Sequence, residues 1–337
     1  MVCFDGHYLN FFTKSKNNGA KLRIFLQITQ FMQMISEQNM VVAKEDISTI
    51  DEELRRAHSL GRARHGDMTI YTFDGSRCPV LMRRVLSLRA QSFGAVGVMG
   101  DEMSGVERVD IDGTYRQLIV WDNEAWDVVG GYRYAVGRDV VPERLSLWRY
   151  YRLSSRFMGD YLPYCLELGR SFVALRYQSG GVVGSIYALD ALWEGLAKVV
   201  ERCGVKYLVG RVTLYPSMSV DARDLLVGFM RYAYPADGPL IVAREPQRIG
   251  IGRRRFSEIF VGSTLRDNYK ILLSCMRSMR CVIPPIISSY MRLSPSLQIF
   301  DAYLNHDLGD VVEMGIMLTV ADIYEDVKRR YFSDEVV

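Results

Sequence analysis

Alternation of apolar and polar residues predicts strands along the chain, and apolar residues at helical spacing predict the helices between them. Segments 117–122 and 127–136 are strand-like and are joined by a short polar turn at Asn123-Glu124, so they are expected to form an antiparallel pair. Strands and helices alternate after this pair, which is typical of a mixed α/β sheet. The predicted strands are 69–73, 117–122, 127–136, 165–175 and 205–214, and the predicted helices are 48–61, 79–93, 186–203, 221–234, 265–279 and 321–332.

The first 40 residues differ from this pattern, because a polar patch at 14–18 is followed by only a short apolar segment. We expect residues 1–45 to be either a mobile extension or a product of start-site choice, since Met40 opens a more regular stretch; a surface-lying helix is the weaker alternative. Residues 46–240 are expected to form the core, and residues 241–337 a C-terminal extension with a basic loop and helices.

The composition is that of a soluble globular protein, with 49% hydrophobic and 24% charged residues among 337. A net charge of +3 is too small to indicate nucleic-acid binding. The six cysteines form no C-x-x-C pair and have no His at ligand spacing, so neither a disulfide framework nor a metal site is predicted. No apolar run approaches the roughly 18 residues that span a bilayer, and no signal peptide is recognisable. We therefore expect a cytoplasmic protein.

Two opposite charges lie inside the apolar segment 165–175, where Glu167 and Arg170 form part of the run Glu-Leu-Gly-Arg-Ser. In a regular strand Glu167 and Gly169 point to one face and Arg170 to the other. A buried charge without a partner is costly. The pair is therefore either a structural salt bridge, which the residue types alone slightly favour, or part of a catalytic site.

The motifs around this strand follow a defined order. They are a helix ending in Arg89-x-x-x-Phe93, an acidic loop leading to Asp110-x-Asp112, a hairpin with Gly130-Gly131-Tyr132-Arg133, the Glu167–Ser171 strand, and a helix with Leu192-Trp193-x-Gly195-Leu196.

In this order the motifs resemble the branch of the GNAT (N-acetyltransferase-like) superfamily that holds the bacterial amino-acid N-acyltransferases of aminolipid synthesis. That branch makes ornithine and glycine lipids and is related to the acyl-homoserine-lactone synthases. The resemblance covers roughly residues 83–331, and the overall length and the Pro284-Pro285 tail are most similar to the glycine N-acyltransferases of Bacteroides-type bacteria. It implies an α/β fold with a GNAT-like mixed central sheet flanked by helices and a helical C-terminal extension.

The resemblance also implies roles for particular residues. Amide formation needs a neutral amine, and Glu167 is the expected acceptor of the amine's proton. Asp110 and Asp112 would hold the incoming ammonium, and Arg133 and Arg170 would bind the carboxylate of the acceptor with their planar guanidinium groups. We expect Glu167, Asp112 and Arg170 to act in catalysis, and substrate to be bound by Arg89, Phe93, Asp110 and Arg133.

The expected donor follows from a glycine-rich turn and a basic segment. GNAT proteins usually cradle a pyrophosphate on such a turn before a helix. Here the turn formed by 178–185 departs by one position from that spacing, so an acyl-phosphopantetheine of acyl carrier protein is expected rather than acyl-coenzyme A. The basic segment, residues 244–255, would bind an acidic carrier protein. The alternatives are that it contacts anionic lipid of the inner membrane or that it is a solvated loop without a partner. The donor-side candidates are Gly180, Gly181, Gly184, Arg244, Arg248, Arg253, Arg254 and Arg255.

The sequence thus predicts transfer of a long, 3-hydroxylated acyl group from acyl carrier protein to the α-amine of a small amino acid, with glycine favoured over ornithine. Ser171 lacks a Gly-x-Ser-x-Gly setting, so direct attack in a ternary complex is favoured over an acyl-enzyme. No permanently bound cofactor is predicted. The alternatives are a signal synthase of the acyl-homoserine-lactone type and a non-catalytic acyl-binding protein.

Overall fold

The computed structural model describes residues 44–97, 107–178 and 181–333. Residues 1–43, which hold most of the predicted N-terminal extension, lie outside the described residues. The chain divides into two compact units, Met1–Glu52 and Glu53–Val337. The sheet and the cleft described below lie entirely in the second unit.

The helices and strands follow one another in an order that mixes hairpins with strand–helix units. Their bounds are α1 Lys44–Arg56, β1 His58–Arg62, β2 Met68–Asp74, α2 Pro79–Gly94, α3 Arg108–Ile111, β3 Arg116–Asp122, β4 Asp127–Val136, α4 Ser146–Tyr150, β5 Tyr151–Leu153, β6 Cys165–Val173, α5 Leu175–Gln178, α6 Gly181–Cys203, β7 Tyr207–Leu214, α7 Val220–Ala233, β8 Ile241–Ala243, α8 Arg253–Ile259, α9 Leu265–Ser278, α10 Pro285–Leu293, β9 Gln298–Asn305, β10 Val311–Thr319 and α11 Glu325–Tyr331.

One large sheet organises the second unit. Its eight strands lie in the order β1-β2-β3-β4-β6-β7-β10-β9, and β5 and β8 form a separate two-stranded sheet. Strands β6 and β7 run parallel, whereas the other neighbouring pairs in the large sheet are antiparallel. The predicted mixed α/β sheet is therefore confirmed. The single parallel pair is central and needs a crossover connection, which α6 supplies.

The strands predicted from alternation all form, and the hairpin of β3 and β4 pairs from Asp122↔Asp127 to Arg116↔Tyr134. The first predicted helix is displaced, because it begins at Lys44 and ends at Arg56 rather than spanning 48–61. Residues 58–62 instead form β1, an edge strand that pairs with β2. The sequence of β1, His-Ser-Leu-Gly-Arg, has no alternation to reveal it, and its pairing partner determines its conformation.

The C-terminal region contains the two predicted helices, α9 and α11. Helices α8 and α10 and strands β8, β9 and β10 also lie in this region and were not predicted. Strand β10 pairs with β7 along its length, from Val312↔Leu214 to Thr319↔Tyr207, and β9 forms the sheet edge beyond it. Residues Val311–Leu318 of β10 are buried on both faces. A strand buried on both faces is a continuous apolar run, which periodicity alone does not distinguish from a buried helix segment, and β10 was not predicted.

Helix α6 covers the face of the sheet formed by β2, β3 and β4. Its apolar positions Leu192, Leu196 and Val199 are buried in the main core cluster together with Ile70 and Leu118 of the strands. The predicted apolar spacing of this helix therefore corresponds to its packed face. No helix within residues 44–97, 107–178 and 181–333 is both long enough and apolar enough to cross a membrane.

Gly195 on this face sets the distance between helix and sheet. A Cβ atom at Gly195 would lie 2.8 Å from Ile70 Cγ2 and 3.1 Å from Leu118 Cδ1. Gly195→Ala gains about 1 kcal/mol of helix propensity, but overpacking of a core costs about 1–3 kcal/mol. We expect a net loss of about 1 kcal/mol in the free energy of unfolding, measured by urea denaturation. Gly159→Ala is the matched control, because no atom lies within 4 Å of its Cβ position; an equal loss there would contradict the packing argument.

Candidate active site

A cleft opens between the two parallel strands β6 and β7. The strands pair from Cys165↔Tyr207 to Leu168↔Gly210, and no pairing between them continues past that point. Gly210 lies at the last point of contact, where a Cβ atom would approach Leu168 O to 2.7 Å. The residues that line the cleft are Tyr132, Leu168, Gly169, Arg170, Ser171, Leu208, Val209, Gly210, Arg211, Tyr290, Ile316 and Leu318.

A β-bulge in β6 accompanies this opening. Gly169 pairs with Arg133 and Phe172 with Gly131, so Arg170 and Ser171 together lie opposite one residue of β4. Arg170 has a φ of 53°, in the left-handed region. The alternation that would put Arg170 on the face opposite to Glu167 is therefore wrong. Because of the bulge, Arg170 turns to Glu107, which also accepts a hydrogen bond from Arg133.

A network of buried charges lies behind the bulge. Arg170 Nε donates to Glu107 Oε1 at 2.7 Å, and Arg133 Nη1 donates to Glu107 Oε2 at 2.7 Å. Arg133 also approaches Asp110 at 3.5 Å, and Arg89 Nη2 donates to Asp110 Oδ2 at 2.7 Å. The structure thus brings four predicted site residues into one network (Arg89, Asp110, Arg133 and Arg170), with Glu107 as an additional member that the sequence did not single out.

The charges in this network stabilise one another. Burial favours the neutral acid at Glu107, but Arg133 and Arg170 outweigh it and lower the pKa of that carboxyl from 4.5 to about 2. Burial acts in the same direction on Asp110, and Arg89 and Arg133 again outweigh it, so that the pKa of Asp110 lies below its usual value. Both carboxylates are therefore ionised at neutral pH.

Glu107 should make the stability of the protein depend on pH. Its folded pKa of about 2 is lower than its unfolded pKa of 4.5, so its stabilisation is present above pH 4.5 and is lost as the pH falls toward 2. Between pH 6 and pH 3, wild-type protein should lose about 2 kcal/mol more of its free energy of unfolding than Glu107→Gln. Urea denaturation of both proteins across this range tests the prediction, and parallel curves would contradict it.

Glu167 is held on the same side of the sheet. Its carboxylate accepts hydrogen bonds from Tyr115 Oη at 2.8 Å and from the Leu147 backbone N–H at 2.8 Å, and the residue is 3% exposed. Burial raises the pKa of this carboxyl, although the Tyr115 hydrogen bond and the charges of Arg211 and Arg133 oppose that effect. A carboxylate with a raised pKa is a stronger base than a solvated one.

A second buried charge cluster lies on β7, β9 and β10 and was missed by the sequence analysis. Arg211 Nη1 donates to Glu313 Oε2 at 2.8 Å and to Tyr303 Oη at 2.6 Å. Glu313 also accepts from Asn305 Nδ2 at 2.8 Å and from Thr213 Oγ1 at 2.9 Å. One signal was available, because Arg211 and Glu313 are single charges inside apolar runs, as Glu167 is.

Arg170 is the predicted catalytic or substrate-binding residue that lines the cleft, and neither Asp112 nor Phe93 belongs to that lining or to the network around Glu107. Asp112 accepts hydrogen bonds from Thr114 and forms an ion pair with Arg144. Phe93 is half-buried and packs against the small cluster of Leu308 and Val311. The roles predicted for Asp112 and Phe93 stay predictions.

The structure describes seven of the eight donor-side candidates. Gly180 lies outside the described residues, whereas Gly181 is the first residue of α6 and Gly184 falls in its first turn. The five arginines are exposed, and Arg253, Arg254 and Arg255 begin helix α8, so the predicted basic loop ends at Gly252. Arg244 stacks over the Trp148 ring and donates to Trp148 O at 3.0 Å.

This mixed sheet, which opens between two central parallel strands, is that of a GNAT-type acyltransferase. The sequence model of the Acetyltransferase (GNAT) domain family matches residues 88–188. The glycine N(alpha)-acyltransferase of Phocaeicola vulgatus is 33% identical over 304 residues, 88% of this chain and 92% of the relative. That of Bacteroides thetaiotaomicron is 34% identical over 302 residues, 86% of this chain and 89% of the relative. The chain belongs to the family of these two enzymes, which confirms the resemblance found in its motifs.

Among solved structures, the AHL synthase LasI aligns with 80% of this chain and 96% of its own length, at 12% identity and a TM-score of 0.36.

Proposed function

We propose that this enzyme transfers a long, 3-hydroxylated acyl group from the phosphopantetheine arm of acyl carrier protein to the α-amine of glycine, forming an amide-linked lyso-aminolipid. The observation that carries the proposal is the cleft between β6 and β7, whose lining combines apolar residues with Arg170 and Arg211. Glycine is chosen because the two curated relatives are named glycine N(alpha)-acyltransferases.

The apolar side of the cleft suits the donor. Leu168, Leu208 and Ile316 line it and belong to the main core cluster. Tyr132 and Tyr290 add two phenol groups to the same lining, and burial raises the pKa of Tyr290 to about 12, so that it stays neutral. An alkyl chain and a pantetheine arm gain from burial against such surfaces. A neutral phenol can hydrogen-bond a 3-hydroxyl group without cost from a charge.

The reaction then requires one nucleophilic attack and one proton acceptor. The neutral amine attacks the thioester carbonyl, a C–N bond forms, and the C–S bond to phosphopantetheine breaks. We assign Glu167 to receive the proton from nitrogen through a bridging water, and this proton finally goes to the leaving thiolate. Beyond Leu168, β6 no longer pairs with β7, and we place the thioester carbonyl at this opening.

Direct transfer is supported over an acyl-enzyme. Cys165 begins β6 close to Glu167, but it is fully buried, and burial raises the pKa of its thiol well above the usual value. A thiol in this state does not supply a thiolate nucleophile at neutral pH.

Acyl carrier protein is proposed as donor because exposed arginines offer an acidic partner a landing surface. Arg244, Arg248 and Arg253–Arg255 are exposed, and Arg244 is held against Trp148. The glycine-rich segment 178–185 departs by one position from the spacing that usually binds a pyrophosphate, and phosphopantetheine on a carrier has one phosphate only.

The proposed function is tested with purified protein and two donors that carry the same 3-hydroxyacyl chain, one on acyl carrier protein and one on coenzyme A. Glycine, ornithine and S-adenosylmethionine are offered separately as acceptors, and products are identified by mass spectrometry. We expect N-acylglycine, formed in a one-to-one ratio with released carrier thiol and faster from the carrier than from coenzyme A. An acyl-homoserine lactone, or thiol release without any N-acyl amino acid, would overturn the proposal.

A further inference from the structure

Two arginines are among the residues that line the cleft, one on each of its two strands. Arg170 belongs to the bulge of β6, and Arg211 lies on β7, directly after Gly210, where the two strands stop pairing. The side chains of Arg170 and Arg211 are 8% and 11% exposed, and each has a carboxylate behind it: Glu107 for Arg170 and Glu313 for Arg211. Two arginines therefore lie at one opening, and each is paired with a carboxylate of the protein.

Arg211 keeps part of its hydrogen-bonding capacity unused. It donates to Glu313 and Tyr303 through Nη1 alone, and no residue in the described ranges accepts a hydrogen bond from its Nε or Nη2. Among the described residues, the buried side-chain nitrogen without a hydrogen-bond partner is Arg133 Nε. Nε and Nη2 of Arg211 are therefore not fully buried. Arg211 is also one of the residues that line the cleft, so a ligand bound there would lie next to a guanidinium group with unused N–H donors.

Arg133, predicted from the sequence to bind the acceptor carboxylate, is placed differently. It is 1% exposed, and its two Nη atoms donate to Glu107, Asp110 and Ser146. A ligand in the cleft meets Arg170 and Arg211 before it meets Arg133, which is absent from the lining.

The orientation of β7 separates the polar part of the cleft from its apolar part. Leu208 and Val212 point into the main core cluster, whereas Val209 packs in the second cluster together with Leu147. Side chains alternate along a strand, so Arg211 lies on the face opposite to Leu208 and Val212, which is the face of Val209 and Leu147. The backbone N–H of Leu147 donates to Glu167. An acceptor bound at Arg211 would thus approach from the side of the proposed base.

We propose that Arg211, together with Arg170, binds the carboxylate of the acceptor amino acid, and that Glu313 and Tyr303 hold Arg211 in position for it. The planar fork of a guanidinium matches a carboxylate in two parallel hydrogen bonds. Binding the carboxylate between β6 and β7 leaves the α-amine free to reach the thioester. This inference rests on the proposed function and adds to it the residue that selects amino acids over simple amines.

The test compares glycine with glycinamide, which has the same amine but no carboxylate. The R211M/E313Q double variant removes the cation without leaving a charged Glu313 buried, so that the fold is retained. We expect the ratio of kcat/KM for glycine to that for glycinamide to fall at least about tenfold relative to wild type. Because each enzyme is measured with both amines, their intrinsic reactivities cancel in the comparison.

Two further variants make the result decisive. Arg211→Lys retains the charge but not the fork, and should give a ratio between wild type and the double variant. Arg62→Met, which removes an exposed ion pair with Asp67, should leave the ratio unchanged. If kcat/KM falls equally for both amines in R211M/E313Q, Arg211 is only structural and the inference is overturned. If wild-type enzyme acylates neither amine, the proposed function itself fails, and the two failures are thereby distinguished.

Discussion

Glu167→Gln is expected to lower kcat with glycine by about 100-fold or more, because a positioned general base contributes about 10²–10⁴ to a rate. The amide keeps the shape of the carboxylate and can still accept the Leu147 N–H hydrogen bond, so the site should remain assembled. Burial raises the pKa of Glu167. Wild-type activity should therefore rise with pH as this group loses its proton, and the variant should lack that limb of the profile.

Tyr115→Phe is the matched control for this prediction. It removes the hydrogen bond that Tyr115 donates to Glu167 Oε2 but leaves the carboxylate in place. We expect a smaller fall in kcat than for Glu167→Gln, together with a retained acidic limb, measured with the same donor and at saturating glycine. Full activity of Glu167→Gln would remove Glu167 from the reaction and leave it a structural residue.

Arg133→Met is expected to lower the free energy of unfolding by about 3–5 kcal/mol, because removal of one partner leaves uncompensated buried charge. Arg133 is 1% exposed and pairs with both Glu107 and Asp110. Asp110 would keep Arg89 and Glu107 would keep Arg170, but each carboxylate would lose one cation. Urea denaturation at neutral pH measures the effect.

The size of this loss distinguishes a buried network from surface pairing. Arg62→Met breaks an ion pair whose side chains are 76% and 40% exposed, and should cost less than about 1 kcal/mol. A similarly small loss for Arg133→Met would mean that the network around Glu107 contributes little to stability. In that case the lowered pKa of Glu107 would also have to be reconsidered.

Local patterns in the sequence predicted most of the central sheet. The hairpin of β3 and β4 was predicted from two strand-like segments joined by a short polar turn, and helix α6 from apolar positions that follow one face. Strand β1 carries no such pattern, and β10 is buried on both faces, so neither shows alternation. Strand β1 takes its conformation from its neighbour β2, whereas β10 also depends on β7, about 100 residues earlier in the chain, which no local window contains.

The candidate site, like the sheet, was predicted only in part. Arg89, Asp110, Arg133 and Arg170 were singled out in the sequence, and they do meet in one network. The bulge at Arg170 could not be predicted, because it depends on register with β4, and without it Arg170 would face away from Glu107. Arg211 lies in a predicted strand, but its hydrogen-bond partners Tyr303 and Glu313 lie about 100 residues later in the chain, so its place in a site could not be predicted.

The pairing of β10 with β7 also has a consequence for how the protein is made. Strand β7 ends at Leu214 and β10 at Thr319, so roughly 100 residues must be synthesised before β7 gains its second neighbour. At ~5–20 residues per second a ribosome needs about 5–20 s for this stretch. During that interval the nascent chain presents β7 as an open edge that can pair wrongly with another chain. The yield of active enzyme should therefore depend on the supply of chaperones, even if the folded protein is stable.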